Sequence, residues 1–440
     1  MRGLRSGKRG QSRMFGSKQL APQATASPGG EAELLLQDAN AASASVRGTW
    51  ILLIALEAYF FIALAGISHR DLLLNTPVAQ PILQVSIPLR SFILFGPLVL
   101  IVMHAGVLQQ HIILARKLKA LDAELRRQEA IPLTHPARLR LHSYYFAQIE
   151  AGPETSTLLR AAFRVMDWLF LRLLPIGLLL AFQITYLPVH DAGVTWWHRA
   201  YVLIDLVLIA LAARFIMRLD EIYPGAGTPT TNRVLRRFAT GGAGAIVLLF
   251  SVAVASIPGE WLDRALGSVE AIAAPVPYQG LGNVTRNLPP GARGRTAFWP
   301  TAVLFEGEVD DWTRRATSTF SRNLIVMDED LVPDGEGSGE TSFSLRGRDL
   351  NYATFDRSDM HRVDLTDTSM KGASLIETNL QGARLVRVRM QGADLSLARL
   401  AGVIAHAVLL DGARLCEGGT PLDLSTSANV ELIRCARAGQ

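Results

Sequence analysis

The sequence predicts an α-helical polytopic membrane domain followed by a wound solenoid of short extended segments. Three observations carry that prediction. Apolar residues make up 49% of the 440 and fall in long blocks, while only 19% are charged, against about 25% in ordinary soluble domains. Five blocks approach the roughly 20 apolar residues needed to cross a bilayer. From Phe343 onward the apolar pattern changes, and a large apolar residue returns at every fifth position. This composition excludes a purely soluble enzyme, a wholly disordered chain and a secreted disulfide scaffold. The two cysteines, Cys416 and Cys435, supply neither a disulfide framework nor a four-cysteine zinc site.

Residues 1–48 read as a disordered basic tail rich in Ser, Gly, Gln and Ala. They hold seven Lys/Arg and three acids, and too little apolar surface to offset chain entropy. No compact apolar core with a small-residue cleavage site follows, so no cleaved signal peptide is expected.

The membrane domain covers 49–257, with spans expected at 50–67, 92–114, 168–188, 200–217 and 240–257. Lys/Arg in the successive flanks number 7, 2, 9, 1, 4 and 1. Because cytoplasmic flanks are enriched in Lys/Arg, this alternation predicts a cytoplasmic N-terminus and an exit from the cytoplasm after residue 258. Four spans in place of five would reverse that side. The stretch RKLKALDAELRRQEA, opening at Arg116, continues the second span as a helix. Leu118, Leu121 and Leu125 share one face, and the reading is a solvated or interfacial extension.

Ionisable residues inside spans are functional candidates by default: Glu57, His104, Arg172, Asp205 and Arg214. Structural pairing is the plainer reading, with Glu57 against Arg172 or Arg214, or Asp205 against Arg214. A proton or substrate path is the alternative. His104 and His111, seven apart on one helical face, have the spacing of a haem or metal pair. Solvation near the interface, beside Gln109 and Gln110, is the plainer reading of His111. Trp196–Arg199, WWHR, sits where an aromatic belt belongs.

The repeat is the strongest signal in the chain. Large apolar residues occupy Leu345, Leu350, Phe355, Met360, Leu365, Met370, Leu375, Leu380, Leu385, Met390, Leu395, Leu400, Leu410 and Leu415, with one lapse at Ala405. Two positions earlier stands a small or β-branched residue, such as Ala353, Val363, Thr368 or Ala383. A spacing of two places both on one side of an extended backbone. A period of five fits neither a 3.6-residue helix nor a continuous strand. Each unit therefore needs a corner, and the chain must wind into coils with these residues inside.

Copies such as GASLIETNLQGARL and GADLSLARL resemble the A(D/N)LXX pattern of pentapeptide-repeat proteins over residues 343–415. The resemblance implies a right-handed quadrilateral β-helix with four repeats per coil. LLLNTPVAQPILQVSIPLRSFILFGPLVL is similar to the membrane region of bacterial members, whose likeness implies an architecture and no activity. Some members mimic DNA and bind type II topoisomerases through an acidic rod. Here the rod holds ten Lys/Arg and eight Asp/Glu, opposite to the balance a phosphate mimic needs, so neither that role nor nucleic-acid binding is expected.

Residues 258–342 read as an irregular β-rich linker or first coil, and 416–440 as a cap containing a short helix, since solenoid ends need covers. Cys416 and Cys435 are expected to pair if the cap lies in an oxidising compartment. Asp310, Asp311, Asp328, Glu329 and Asp330 could approach a divalent cation but lack the spacing of a calcium loop. His361 and His406 on the rod are expected to lack partners. No dinucleotide fingerprint, phosphate loop, nucleophile elbow or zincin motif occurs, so no enzyme activity, cofactor or bound metal is expected. The sequence therefore predicts a membrane-anchored scaffold of a bacterial inner membrane, touching the lipid bilayer and offering its periplasmic rod to a protein partner. Its rival is a transporter or sensor built on the intramembrane polar residues.

Overall fold

The computed structural model describes residues 28–80, 85–128, 134–153, 156–223, 230–257, 260–261, 309–310, 312–316, 320–332, 341–416 and 431–433. Helices α1 (Pro28–Ala65) and α3 (Leu89–Gln128) are 38 and 40 residues long. At 1.5 Å per residue they reach about 57 and 60 Å, well beyond the ~30 Å of a bilayer's hydrocarbon. Between them lie α2 (His69–Leu74) and the antiparallel pair β1 (Val78–Gln80) and β2 (Val85–Ile87). Short α4 (Pro136–Leu139) and α5 (Tyr145–Ala151) precede α6 (Thr157–Trp168). A π-helical turn over Leu169–Leu173 joins α6 to α7 (Leu174–Tyr186), and α8 (Ala192–Ile222) and α9 (Thr230–Val254) follow.

Among the described residues, four stretches are long and apolar enough to cross a membrane: Gly30–Ala65, Leu89–Gln128, Thr157–Val189 and Ala192–Ile222. Gly241–Val254 is a shorter apolar helix. Its direction is fixed by side-chain bonds. Gln183, late in α7, exchanges two bonds with Ser251, and Arg199, early in α8, donates to the Ala255 carbonyl at 2.8 Å. Helix α9 thus runs antiparallel to α8.

Helix α1 begins at Pro28, inside the stretch expected to be disordered; residues 1–27 lie outside the described ones. Ala32, Leu36, Ala39 and Val46 are buried against Leu114, Leu118, Leu121 and Leu125 of α3. Bulk composition hid this helical stripe. The extension of α3 is therefore half of a packed helix pair rather than a solvated helix. Arg138 closes it, donating to Asp122 at 2.5 Å and to the Ala151 carbonyl at 2.6 Å. At the bundle centre the rings of Phe60, Phe92 and Phe182 meet. Gly96 admits them, since a Cβ there would fall 2.9 Å from the Phe182 ring.

The repeat winds as its period requires. Parallel bridges join Ser344 to Asp364, Asp349 to Ser369, Thr354 to Ser374 and Asp359 to Asn379. Each links positions four pentapeptides apart, so one coil has four five-residue sides. Leu345, Phe355, Met360, Leu365, Met370, Leu375, Leu380 and Leu385 are essentially inaccessible. The corners are β-turns, such as the Arg348 amide donating to the Leu345 carbonyl at 3.2 Å. Every turn holds a residue with φ near +60°: Gly347, Tyr352, Arg357, Arg362, Asp367, Gly372 and onward to Gly412. Inward hydroxyls are satisfied by the coil beneath, as Thr368 donates to Leu345 and Thr378 to Phe355.

The stack begins before residue 343. Leu324, Val326 and Leu331 enter the same core, and Ile325 and Asp330 bridge Thr354 and Asp359. Strand β3 (Val309–Asp310) pairs antiparallel with β4 (Arg315–Ala316). Higher on the rod, β5 (Arg384–Val386) pairs with β6 (Ile404–His406), and β7 (Arg414–Cys416) with β8 (Glu431–Ile433), both in parallel. Residues 431–433 are thus a further rung where a capping helix was expected. Cys416 is disulfide-bonded; Cys435 lies outside the described residues.

Candidate functional site

Two prolines prepare the interior of the bundle. Pro175 has no amide hydrogen for the Leu171 carbonyl four residues back, and the helix loosens there into the π turn. His104 of α3 takes that carbonyl, with its Nε2 3.0 Å away. Pro97 likewise leaves the Ile93 carbonyl without its helical donor, and His198 of α8 reaches it at 3.0 Å. A carbonyl only accepts, so Nε2 carries the hydrogen in both rings. The other nitrogen of His104, Nδ1, lies 2.6 Å from Asp205 Oδ1. All of His104 and Asp205 is buried, as is Glu57 on α1. Both Glu57 oxygens and Asp205 Oδ2 have no hydrogen-bond partner.

The expected pairings therefore change. Asp205 meets His104 rather than Arg214, which is exposed. Arg172 is held by Asp167 at 2.6 Å, because five residues span one π turn, and so does not reach Glu57. His111 is buried rather than interfacial: Nδ1 meets the Val107 carbonyl and Nε2 the Tyr144 hydroxyl, each at 2.8 Å. His104 and His111 thus have separate partners. Asp310, Asp328, Glu329 and Asp330 do not converge either. Asp310 accepts from Trp312 and Thr313, Asp328 pairs with Arg357, Glu329 with Arg70, and Asp330 accepts from Val332; Asp311 lies outside the described residues. Trp196 and Trp197 are half exposed, and Arg199 lies over the Trp196 ring at 4.4 Å.

The rod is joined to the bundle through the loops α1–α3 and α7–α8 and the end of α9. His69 Nδ1 accepts from the Ile325 amide at 2.9 Å, and Arg348 donates to the Leu73 carbonyl at 2.9 Å. His190 Nε2 donates to the Arg322 carbonyl at 2.8 Å while its Nδ1 faces Asp349 at 3.6 Å. Arg322 in turn binds the Ser256 hydroxyl at 2.8 Å and its carbonyl at 3.2 Å. Burial, and then the nearby Arg315 charge, hold the His69 imidazole below its usual pKa, which keeps it a neutral acceptor. Leu72, Leu73, Leu324, Leu345 and Leu350 belong to one continuous apolar core.

On the rod surface, ion pairs link successive coils. Arg387 grips Asp367 with bonds of 2.6 and 2.7 Å, and Arg357 grips Asp328. His361, expected to stand alone, is 2.9 Å from Asp359, which also accepts from the His361 amide. The upper coils differ. Arg384 bridges Ile404 and Arg389 bridges Leu409, and Ile404, Leu409 and Leu397 are 55%, 39% and 39% exposed. Arg389 and Arg399 are also exposed.

Comparison with known proteins bears on the rod alone. The pentapeptide-repeat family model matches in eight copies over residues 344–375, 364–402 and 378–415, so this region consists of pentapeptide repeats, modules of the protein-interaction type. A pentapeptide repeat protein from the Arabidopsis thaliana thylakoid lumen is 22% identical, over 22% of this chain and 68% of that one, with a TM-score of 0.17. Rfr23 of the cyanobacterium Cyanothece 51142 is 23% identical, over 24% and 80%, with a TM-score of 0.20. QnrB1, a plasmid-mediated fluoroquinolone resistance protein, is 14% identical, over 24% and 83%, with a TM-score of 0.08. No curated protein matches the chain.

Proposed function

We propose that the chain is a non-enzymatic, membrane-anchored interaction module of a bacterial inner membrane. The helical bundle lies in the bilayer with the tail end cytoplasmic, and a right-handed repeat rod projects into the periplasm. Counting α9, antiparallel to α8, as a fifth pass supports this orientation. The flanks at the tail end carry 7, 9 and 4 Lys/Arg, and those at the rod end 2, 1 and 1. A hydrogen-bonded joint and a shared core hold the rod against the bundle, as a surface presented at fixed height requires.

The observation that carries the reading is the exposed patch on the upper coils. Ile404 and Leu409 stand beside Arg384 and Arg389 on adjacent faces, where a stable monomer gains nothing from apolar exposure. An acidic protein segment with an apolar anchor fits this chemistry, since arginine with apolar contact is the composition of interface centres. A photo-crosslinking residue placed at Ile404 or Leu409 in cells is expected to capture one envelope protein, with Arg389→Glu weakening capture at least tenfold. The same probe at Glu377, on another face, is expected to capture nothing. Equal capture from all three positions, or none from the patch, contradicts the proposal.

A further inference from the structure

We propose that Glu57, Asp205 and His104 form a proton-binding site inside the helical bundle, reached from the tail end through a pocket beside Leu171.

His104 faces two acceptors, the Leu171 carbonyl and the Asp205 carboxylate. One proton bridges Nδ1 and Asp205 Oδ1, so the His104–Asp205 pair is neutral as a unit whichever atom holds that proton. Glu57 stands outside this arrangement. It is fully buried and both its oxygens lack partners. An ionised Glu57 would place an uncompensated negative charge in a dry interior. The carboxylate therefore takes up a proton from water and stores it as the neutral acid.

Among the described residues no counter-ion pairs with Glu57, and the one ionisable side chain of α7 is Tyr186. From α3 the titratable groups are His104 and His111. From the α6–π segment they are Asp167 and Arg172, which pair with each other. Helix α8 presents Asp205, with Arg214 turned outward, and the described side chains of α9, 241–254, include no ionisable group. A pocket lined by His111, Asp167, Leu171, Arg172 and Ala213 has about 20 Å³ of room, enough for a single water. Its lining lies on the tail side of His104, and Asp167 Oδ1 is a further buried oxygen without a partner. The π turn itself supports the reading, since such turns occur often at functional sites.

The test is infrared difference spectroscopy of the full-length protein in lipid nanodiscs between acid and alkaline pH. A buried-carboxyl C=O band should appear reversibly on acidification, vanish in Glu57→Gln, and shift its midpoint by one pH unit or more in His104→Gln. Ala213→Leu, which fills the pocket, should slow proton exchange at least tenfold without moving the midpoint. Absence of the band, or its persistence in Glu57→Gln, overturns the site, and an unchanged exchange rate in Ala213→Leu overturns the route. If Glu57→Gln does not fold, Glu57→Asp keeps an acid one methylene shorter and must move the band, and an unmoved band overturns the assignment.

Discussion

Pro175 and Pro97 each strip a helix of one amide donor, and each bereft carbonyl is met by a histidine from a neighbouring helix. The chain thereby replaces a repeating helical bond with a side-chain bond that fixes helix against helix. A comparable constraint recurs in the rod, where every corner needs φ near +60°. Glycine adopts that conformation freely, whereas a bulky side chain there costs about 1–2 kcal/mol. Leu397 holds φ of 60° and is 39% exposed, so Leu397→Gly is expected to raise the thermal midpoint of the rod by a few degrees. A lowered midpoint would show instead that its side chain packs usefully. Asp356 tests burial of charge. Burial pushes its carboxyl above the usual range, against the hydrogen bonds from Ser374 and Ile376. A folded pKa raised above the unfolded value favours the native state at low pH and loses that advantage as pH rises through the folded pKa. Asp356→Asn is therefore expected to stabilise the rod at pH 7, by a margin that shrinks as pH falls toward 4. A pH-independent difference in thermal midpoints contradicts this.

Among the elements, those with a strong period were legible in the sequence and those built from isolated contacts were not. The fifth-residue apolar series specified the coil and its inward residues, because a period of five demands a corner. The α1 stripe Ala32, Leu36, Ala39 and Val46 is also periodic, but small residues within a polar stretch carry little apolar weight. The Asp205–His104 pair joins residues 101 apart, and charge alone favoured arginine as the partner. Pro175 four residues after Leu171 was the available signal for the π turn. Since the bridges join positions one coil apart, removing residues 365–384 joins Asp364 to Leu385 and keeps the register. That variant is expected to fold with a rod one coil shorter, about 4.8 Å. Removing residues 365–382 shifts the apolar series by two positions and is expected to unfold the upper rod. Equal circular dichroism and protease resistance in both deletions would contradict the assigned winding. Phe355→Ala, at a fully buried inward position, is expected to cost about 3–5 kcal/mol in chemical denaturation.

For the whole molecule, the joint decides whether rod and bundle act as one body. Arg322 is 6% exposed and binds Ser256 while its carbonyl serves His190. Arg322→Ala removes the guanidinium and leaves buried acceptors, at a cost of about 1–3 kcal/mol. Spin labels on the rod and on α3 are expected to show a broader distance distribution in that variant, and an unchanged distribution would mean that the apolar contact suffices. The proposed orientation puts the rod across the membrane from the α1–α3 helix pair. The most direct measurement labels single cysteines in intact cells with an impermeant maleimide, in a chain carrying Cys416→Ser and Cys435→Ser. Arg399→Cys on the rod should label in intact cells, and Arg116→Cys on α3 only after permeabilisation. The reverse pattern, or labelling of both or neither in intact cells, contradicts the account.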